Sequence, residues 1–328
     1  MEYRKFGNTN LQVSEVGFGS WAIGGDAMVG STAIGWGKAD DVTSVEAIHA
    51  ALEAGINFFD TADIYGLGHS ENLLGQAITD SNVIIATKVG NVARNNQFSI
   101  DYSKEYILSA CDASLKRLKR ETIDFYQLHS ARVKQLEEGE CIEAMQILQQ
   151  QGKIRYWGIS LNTFNPDEEV NFFMNNSLGN GFQLVLNIIN QRALPIIKQA
   201  AAKGYGVIAR MPLQFGLLTG KFSDASTFDK TDHRQSRLTK EIISKSAIAL
   251  EPVWSLCEKY KITKVQLALS YVLSYPQVSV VIPGIRTKEQ VLANIEGLVQ
   301  LQKEDVAFIE SFSSTNFFQL MELIKKQG

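Results

Sequence analysis

The chain has 328 residues, 45% of them hydrophobic and 20% charged, and a formal net charge of −3. That length can bury a large core, and that charge gives no basic field for nucleic acid or an anionic membrane surface. Cys111, Cys141 and Cys257 lie far apart and the four histidines lack metal-ligand spacing, so neither a disulfide framework nor a bound metal is expected. The opening M-E-Y-R-K-F-G-N-T-N is too polar for a signal peptide, and no apolar run nears membrane-spanning length. A cytoplasmic protein with no membrane partner is the expectation.

In chain order, Y-R-K-F-G-N-T-N-L-Q-V-S reads as a hairpin turning at N-T-N. V-G-F-G at 16–19 is a first buried strand, followed by a glycine-rich loop and a helix over about 41–54, whose Val45, Ile48, Ala51 and Leu52 share a face. Strands at 56–60, 83–88 and 123–128 then alternate with helices near 71–78, 104–119 and 138–150, the last ending at Gly152. Strands at 156–160, 184–187 and 206–210 alternate with helices at 166–176 and 195–203. A polar stretch at about 219–247 reads as an excursion over one end of the fold, and helices near 250–260 and 264–274 precede a last strand at 278–282.

Eight strands separated by helices imply parallel pairing, and eight parallel strands close into an α/β TIM barrel, here with an N-terminal hairpin able to plug its bottom. No Pro- or Ser-rich linker divides the chain, so residues 1–328 read as one domain. G-F-G-S-W-A at 17–22 imitates a dinucleotide fingerprint, but the helix that fingerprint requires starts only near Asp41.

On a barrel, reactive groups belong at the carboxyl ends of strands. Asp60, Lys88 and His129 end the second, third and fourth strands, and Tyr65 lies in the loop after Asp60. A free tyrosine, with a pKa of about 10, is a poor acid at neutral pH, and a neighbouring ammonium lowers that value. A carboxylate holds the ammonium charged, and an imidazole orients a carbonyl oxygen. Singly, each has a plainer reading: a turn cap, a loop aromatic, a solvated lysine, a structural histidine. Together they form a proton-donating site for an oxyanion created by hydride arrival. His49, His69 and His233 lack that context and read as surface or loop residues.

D-T-A-D-I-Y-G-L-G-H-S-E-N-L-L-G at 60–75, I-I-A-T-K at 84–88, D-F-Y-Q-L-H at 124–129, G-I-S at 158–160, M-P-L-Q-F-G-L-L-T-G-K at 211–221 and I-P-G-I-R-T-K-E-Q-V-L-A-N at 282–294 resemble the signatures of the aldo-keto reductases. The resemblance spans nearly the whole chain in order. It implies a (β/α)8 barrel, an extended NADP(H), and reduction of aldehydes or ketones, or the reverse oxidation of a sugar or polyol hydroxyl. Tyr65 would be the acid or base, with Lys88 and Asp60 tuning it and His129 orienting substrate. Gly19, Ser20 and Trp21 would lie beside the nicotinamide, and Ser160 and Gln183 would bind its carboxamide. Pro212, Leu213, Gly216, Leu217 and Lys221 would wrap the pyrophosphate, and Gly284, Arg286, Thr287, Gln290 and Asn294 the adenosine end. Glycines permit close backbone approach, and the planar fork of Arg286 suits a 2′-phosphate, which favours NADP over NAD.

Two positions depart from the family pattern. Ser160-Leu161-Asn162 replaces a common S-N pair, and Arg210 stands where many members stack an aromatic ring on the nicotinamide. A flat guanidinium can stack there too, but it brings charge. The rival from another class is a non-catalytic NADPH-binding regulatory subunit on the same barrel, against which the intact tetrad argues. Trp21, Trp36, Ile64, Leu67 and Arg132, with residues of 219–247, are candidate walls of the substrate pocket. The small-molecule substrate and the oligomeric state are not legible.

Overall fold

In the computed structural model, which describes residues 1–223 and 225–327, the chain opens with an antiparallel hairpin, β1 (Tyr3–Lys5) and β2 (Gln12–Ser14), around the expected turn. Strand β3 (Phe18–Gly19) starts the barrel, and the loop after it carries a small hairpin, β4 (Met28–Val29) and β5 (Thr32–Ala33). Strands β6 (Phe58–Asp60) and β7 (Ile84–Val89) follow, then a second loop hairpin, β8 (Asn91–Arg94) and β9 (Gln97–Ile100). The remaining barrel strands are β10 (Ile123–His129), β11 (Ile154–Ser160), β12 (Gly181–Val185), β13 (Gly206–Arg210) and β14 (Val280–Ile282).

All eight barrel strands run parallel in the order β3-β6-β7-β10-β11-β12-β13-β14. Bridges Val16↔Val281 and Gly19↔Gly284 bring the first strand back to the last, so the (β/α)8 barrel expected from eight β-α repeats is present. Two apolar layers hold it. Outside, the strands pack against helices through residues such as Phe59, Tyr126 and Ile159. Inside, Phe58, Ala86, Phe125, Ile208 and Val280 meet Phe6, carried in by the hairpin.

Phe6 fits because the barrel floor is carved for it. A Cβ on Gly181 would lie 2.8 Å from Phe6 Cζ, and one on Gly206 would lie 2.5 Å from Phe6 Cε1. The ring therefore closes the bottom, and chemistry is confined to the opposite mouth.

Several expected boundaries move. The strand expected at 184–187 is Gly181–Val185, because Gly181 is a strand residue whose missing side chain makes room for Phe6. The helix expected over 138–150 divides into Val133–Glu138 and Glu140–Gln150 at Gly139, whose φ of 81° no continuous helix tolerates. The helix expected near 250–260 begins at Lys240, capped by the Thr239 side chain, and carries Pro252 in its interior. The excursion over 219–247 therefore becomes helical before its expected end; its Asp224 lies outside the described residues. Past β14 the chain adds helices Lys288–Ile295, Lys303–Ser311 and Asn316–Lys326. No helix among the described residues is long and apolar enough to cross a membrane.

Candidate active site

Strand alternation builds the site. Residues i and i+2 face the same side, so a residue two beyond the apolar barrel interior lies in the next layer toward the mouth. Phe58 leads to Asp60, Ala86 to Lys88, Phe125 to Gln127 and then His129, and Ile208 to Arg210. Registers Asp60↔Ala86 and Lys88↔Gln127 keep these groups adjacent.

Lys88 is fully buried, with Nζ 2.6 Å from Asp60 Oδ2 and 2.7 Å from the Thr61 carbonyl. Its third near contact is the Tyr65 hydroxyl at 3.4 Å, and Nζ lies 4.8 Å from the centre of the Tyr65 ring. Asp60 Oδ1 accepts from Gln183 Nε2 at 2.6 Å and from Gln127 Nε2 at 3.2 Å. The carboxylate is thus held by one cation and two amides.

Burial alone would lower the Lys88 pKa, but the Asp60 charge and the bonds to Asp60 and Tyr65 more than offset it, and the ammonium is held above its usual value. For Tyr65 burial is the largest influence and raises the phenol, while Lys88 works against it; the net direction is upward. The ammonium does pull the phenol down, as expected, but desolvation outweighs it. Burial, then Lys88 and Arg210, push His129 well below the ordinary histidine range, so the imidazole is neutral at pH 7. Its Nδ1 is buried without a partner, its ring meets Tyr65 edge-on with centroids 6.0 Å apart, and its carbonyl accepts from Tyr102 at 2.6 Å.

The loop after Asp60 aims Tyr65 by an unusual backbone run: Gly66, Leu67 and Gly68 all have positive φ, at 60°, 54° and 94°. Gly66 is required, since a Cβ there would lie 2.2 Å from the Gly24 carbonyl oxygen. Asp63, in the same loop, is held well above the usual carboxylate range by burial and then by Glu71, and its Oδ1 has no partner. A folded-state carboxyl with a raised pKa loses its stability contribution as pH rises above the unfolded value. Asp63→Asn is therefore expected to raise Tm by roughly 1–3 °C at pH 8 and by less at pH 5. Thermal unfolding at the two pH values checks this; a fall in Tm at pH 8 would refute it.

The other expected site residues fall into three groups. Around the tetrad, Ser160 Oγ donates to Gln183 Oε1 at 3.4 Å, and Ser20 Oγ is committed to the Asp60 carbonyl at 2.8 Å. Gly19 approaches so closely that a Cβ would lie 2.8 Å from the Pro283 carbonyl oxygen, and Trp21 stacks on Tyr65 at 5.6 Å and 15°. After β13, Met211, Gln214, Phe215 and Gly216 take positive φ around Pro212 and Leu213, Leu217 is buried, and Lys221 is exposed. After β14, Gly284 has open space where a Cβ would be, Thr287 caps the helix Lys288–Ile295, and Gln290 Oε1 accepts from Arg286 N at 2.7 Å. Asn294 is buried with Nδ2 unpartnered, and the Arg286 guanidinium donates to the Trp36 carbonyl.

Of the proposed walls, Trp21 and Trp36 meet edge-on at 5.4 Å, Ile64 is buried and Leu67 is exposed. Arg132 is engaged by Glu169 at 3.0 Å. Gln127 was not singled out from the sequence, although its alternation with Phe125 and His129 marks it. His233 is a loop residue as expected, yet its ring packs on Trp21 at 5.2 Å because residue 232 bridges to residue 36 across the mouth. Pattern within a strand cannot show that contact.

The sequence profile of the Aldo/keto reductase family matches residues 15–314. Aldo-keto reductase YhdN of Bacillus subtilis (strain 168) is 31% identical over 323 residues, covering 93% of this chain and 91% of the relative. L-galactose dehydrogenase of Arabidopsis thaliana is 31% identical over 314 residues, with coverage of 92% and 89%. The solved glycerol dehydrogenase AKR11B4 from Gluconobacter oxydans superposes with a TM-score of 0.78 at 29% identity, over 96% of this chain and 95% of that one.

Proposed function

Since the chain belongs to the aldo/keto reductase family and is an oxidoreductase of that type, we propose that it reduces an aldehyde or ketone with NADP(H), or runs the reverse oxidation, with Tyr65 as the general acid or base. The observation that carries this reading is the convergence of Tyr65, Lys88, Asp60 and His129, with the Lys88–Asp60 pair sealed from water. In reduction the Tyr65 hydroxyl gives its proton to the carbonyl oxygen, and Lys88 stabilises the phenolate left behind. Neutral His129 directs that oxygen toward Tyr65. Asp60, fixed by Gln127 and Gln183, keeps the ammonium charged and in place.

The residues around the mouth fit a dinucleotide. Asn294 has a buried, unspent donor, Gly284 leaves open room, and Gly216 lies in a loop of positive φ. Gly19, Ser20, Trp21, Ser160, Gln183 and Arg210 would border the nicotinamide, and Pro212, Leu213, Gly216, Leu217 and Lys221 the pyrophosphate. Gly284, Arg286, Thr287, Gln290 and Asn294 would hold the adenosine end. When bound, the cofactor supplies the hydride. Arg286 would exchange the Trp36 carbonyl for a 2′-phosphate, a charge-assisted and stronger acceptor. Arg286→Ala is expected to weaken NADPH binding at least about tenfold and NADH binding little. Fluorescence titration with both cofactors tests this; equal losses would remove the 2′-phosphate role.

The oxidative direction has specific support. Two of the relatives are named as dehydrogenases of L-galactose and glycerol, which are alcohols. One tyrosine serves either direction by microscopic reversibility. The primary test is NADPH consumption by the purified protein with a reactive aromatic aldehyde, alongside NADP+ reduction with a polyol panel. Absence of turnover in both would overturn the enzymatic reading and favour a binding subunit.

A further inference from the structure

Beyond Trp21 from Tyr65 lies a cavity of about 120 Å3 whose walls carry three basic side chains, Arg210, His233 and Arg237, and among the described residues no carboxylate. Its apolar walls include Trp21, Phe164 and Phe215. Trp21 is the link to the chemistry, because it also stacks on the Tyr65 ring. Arg210 ends β13 at the same rim as Asp60 and Lys88, and its charge is felt at both Tyr65 and His129.

Neither guanidinium has an acidic partner. Arg210 donates only to neutral groups, the Leu161 carbonyl, the Thr163 hydroxyl and the Met211 sulfur, each at 3.1 Å, and its Nε is buried with no partner. Arg237 makes no hydrogen bond and no ion pair among the described residues, although it is partly buried. By contrast Arg4, Arg94, Arg117, Arg132, Arg155, Arg192 and Arg234 each sit on a carboxylate. Two sheltered cations facing one cavity with no carboxylate in contact with either are costly unless an anion joins them. The apolar walls leave room for a ring or short chain behind that anion.

We infer that this cavity receives a carboxylate or phosphate carried by the substrate, which makes the preferred substrate class an anionic aldehyde or the matching hydroxy acid, gripped by Arg210 and Arg237 while its reacting carbon faces Tyr65. The inference rests on the carbonyl chemistry proposed above and names the substrate class for it. The other source of anionic oxygen at this mouth is the cofactor's own diphosphate, which the experiment separates.

The probes are 4-carboxybenzaldehyde and benzaldehyde, equal in body and different in charge, tested on the wild-type protein, Arg237→Met and Arg237→Lys. In wild type the carboxylated aldehyde is expected to have a kcat/KM at least about tenfold higher, the scale of one charge-assisted contact. Arg237→Met erases that preference, leaves benzaldehyde within about twofold and leaves the NADPH dissociation constant unchanged, while Arg237→Lys restores part of the preference. A wild type with no preference overturns the inference. A variant that weakens NADPH and both aldehydes alike also overturns it and assigns the arginine to the cofactor's phosphates. Should neither aldehyde turn over, the catalytic reading fails, and the anion site is judged by 4-carboxybenzyl alcohol against benzyl alcohol quenching the Trp21 and Trp36 fluorescence. Tighter binding of the carboxylate in wild type, lost in Arg237→Met, retains the site; equal binding removes it.

Discussion

Tyr65→Phe is expected to lower kcat for aldehyde reduction by about 10²- to 10⁴-fold, the usual worth of a positioned proton donor. Only the hydroxyl is removed, so stacking on Trp21 and the edge contact with His129 persist, and NADPH affinity and Tm stay near wild type. The pH profile of the wild type carries the same assignment. The phenol is raised by burial, Lys88 opposing, so it is expected to stay protonated throughout pH 6–9 and reduction to be flat there. The reverse reaction needs the phenolate, whose population climbs about tenfold per pH unit in that window. A Tyr65→Phe protein that retains more than a tenth of wild-type turnover would remove the tyrosine from the proton-transfer step.

Asp60→Asn is expected to be the most destabilising of these changes, because it leaves a fully buried ammonium with the Thr61 carbonyl as its chief acceptor. Breaking one side of such a pair costs about 3–5 kcal/mol, whereas removing both charges together is close to neutral when volume is kept. The double variant Asp60→Asn/Lys88→Met should accordingly unfold at higher denaturant than Asp60→Asn alone, though both lose turnover. Asn also brings an amide against the donors of Gln127 and Gln183 that now converge on Asp60 Oδ1. Chemical denaturation of the single and double variants decides it: a double variant no more stable than the single one would show that the ammonium does not depend on Asp60 for its solvation.

Much of this site can be read in the strands, for a geometric reason. A period of two couples the barrel's interior to its rim, so I-N-F-F-D and V-I-I-A-T-K announce both a buried strand and the residue it delivers to the mouth. Asp60, Lys88 and His129 were accessible for that reason. Gln127 obeyed the same rule but lay hidden inside a longer run. The cavity was not accessible: Arg237 and Phe164 line it together from more than seventy positions apart, in segments that carry no long-range periodicity. The upward shift of Tyr65 was equally out of reach, since it depends on how completely the folded chain excludes water from the phenol. Helix Lys240–Tyr260 starts well before the expected position near 250 and carries Pro252 in its interior, where packing overrides that residue's usual effect.

Phe6, Gly181 and Gly206 are one steric unit spread over three distant positions. A mutation at any one of them is judged by the other two: a methyl added at Gly206 collides with a ring that a smaller residue at position 6 would vacate. Inheritance should therefore act on the trio and not on its members, so that among related sequences these positions change in concert or not at all. They offer an internal gauge of ancestry that is blind to what the mouth of the barrel has been selected to bind.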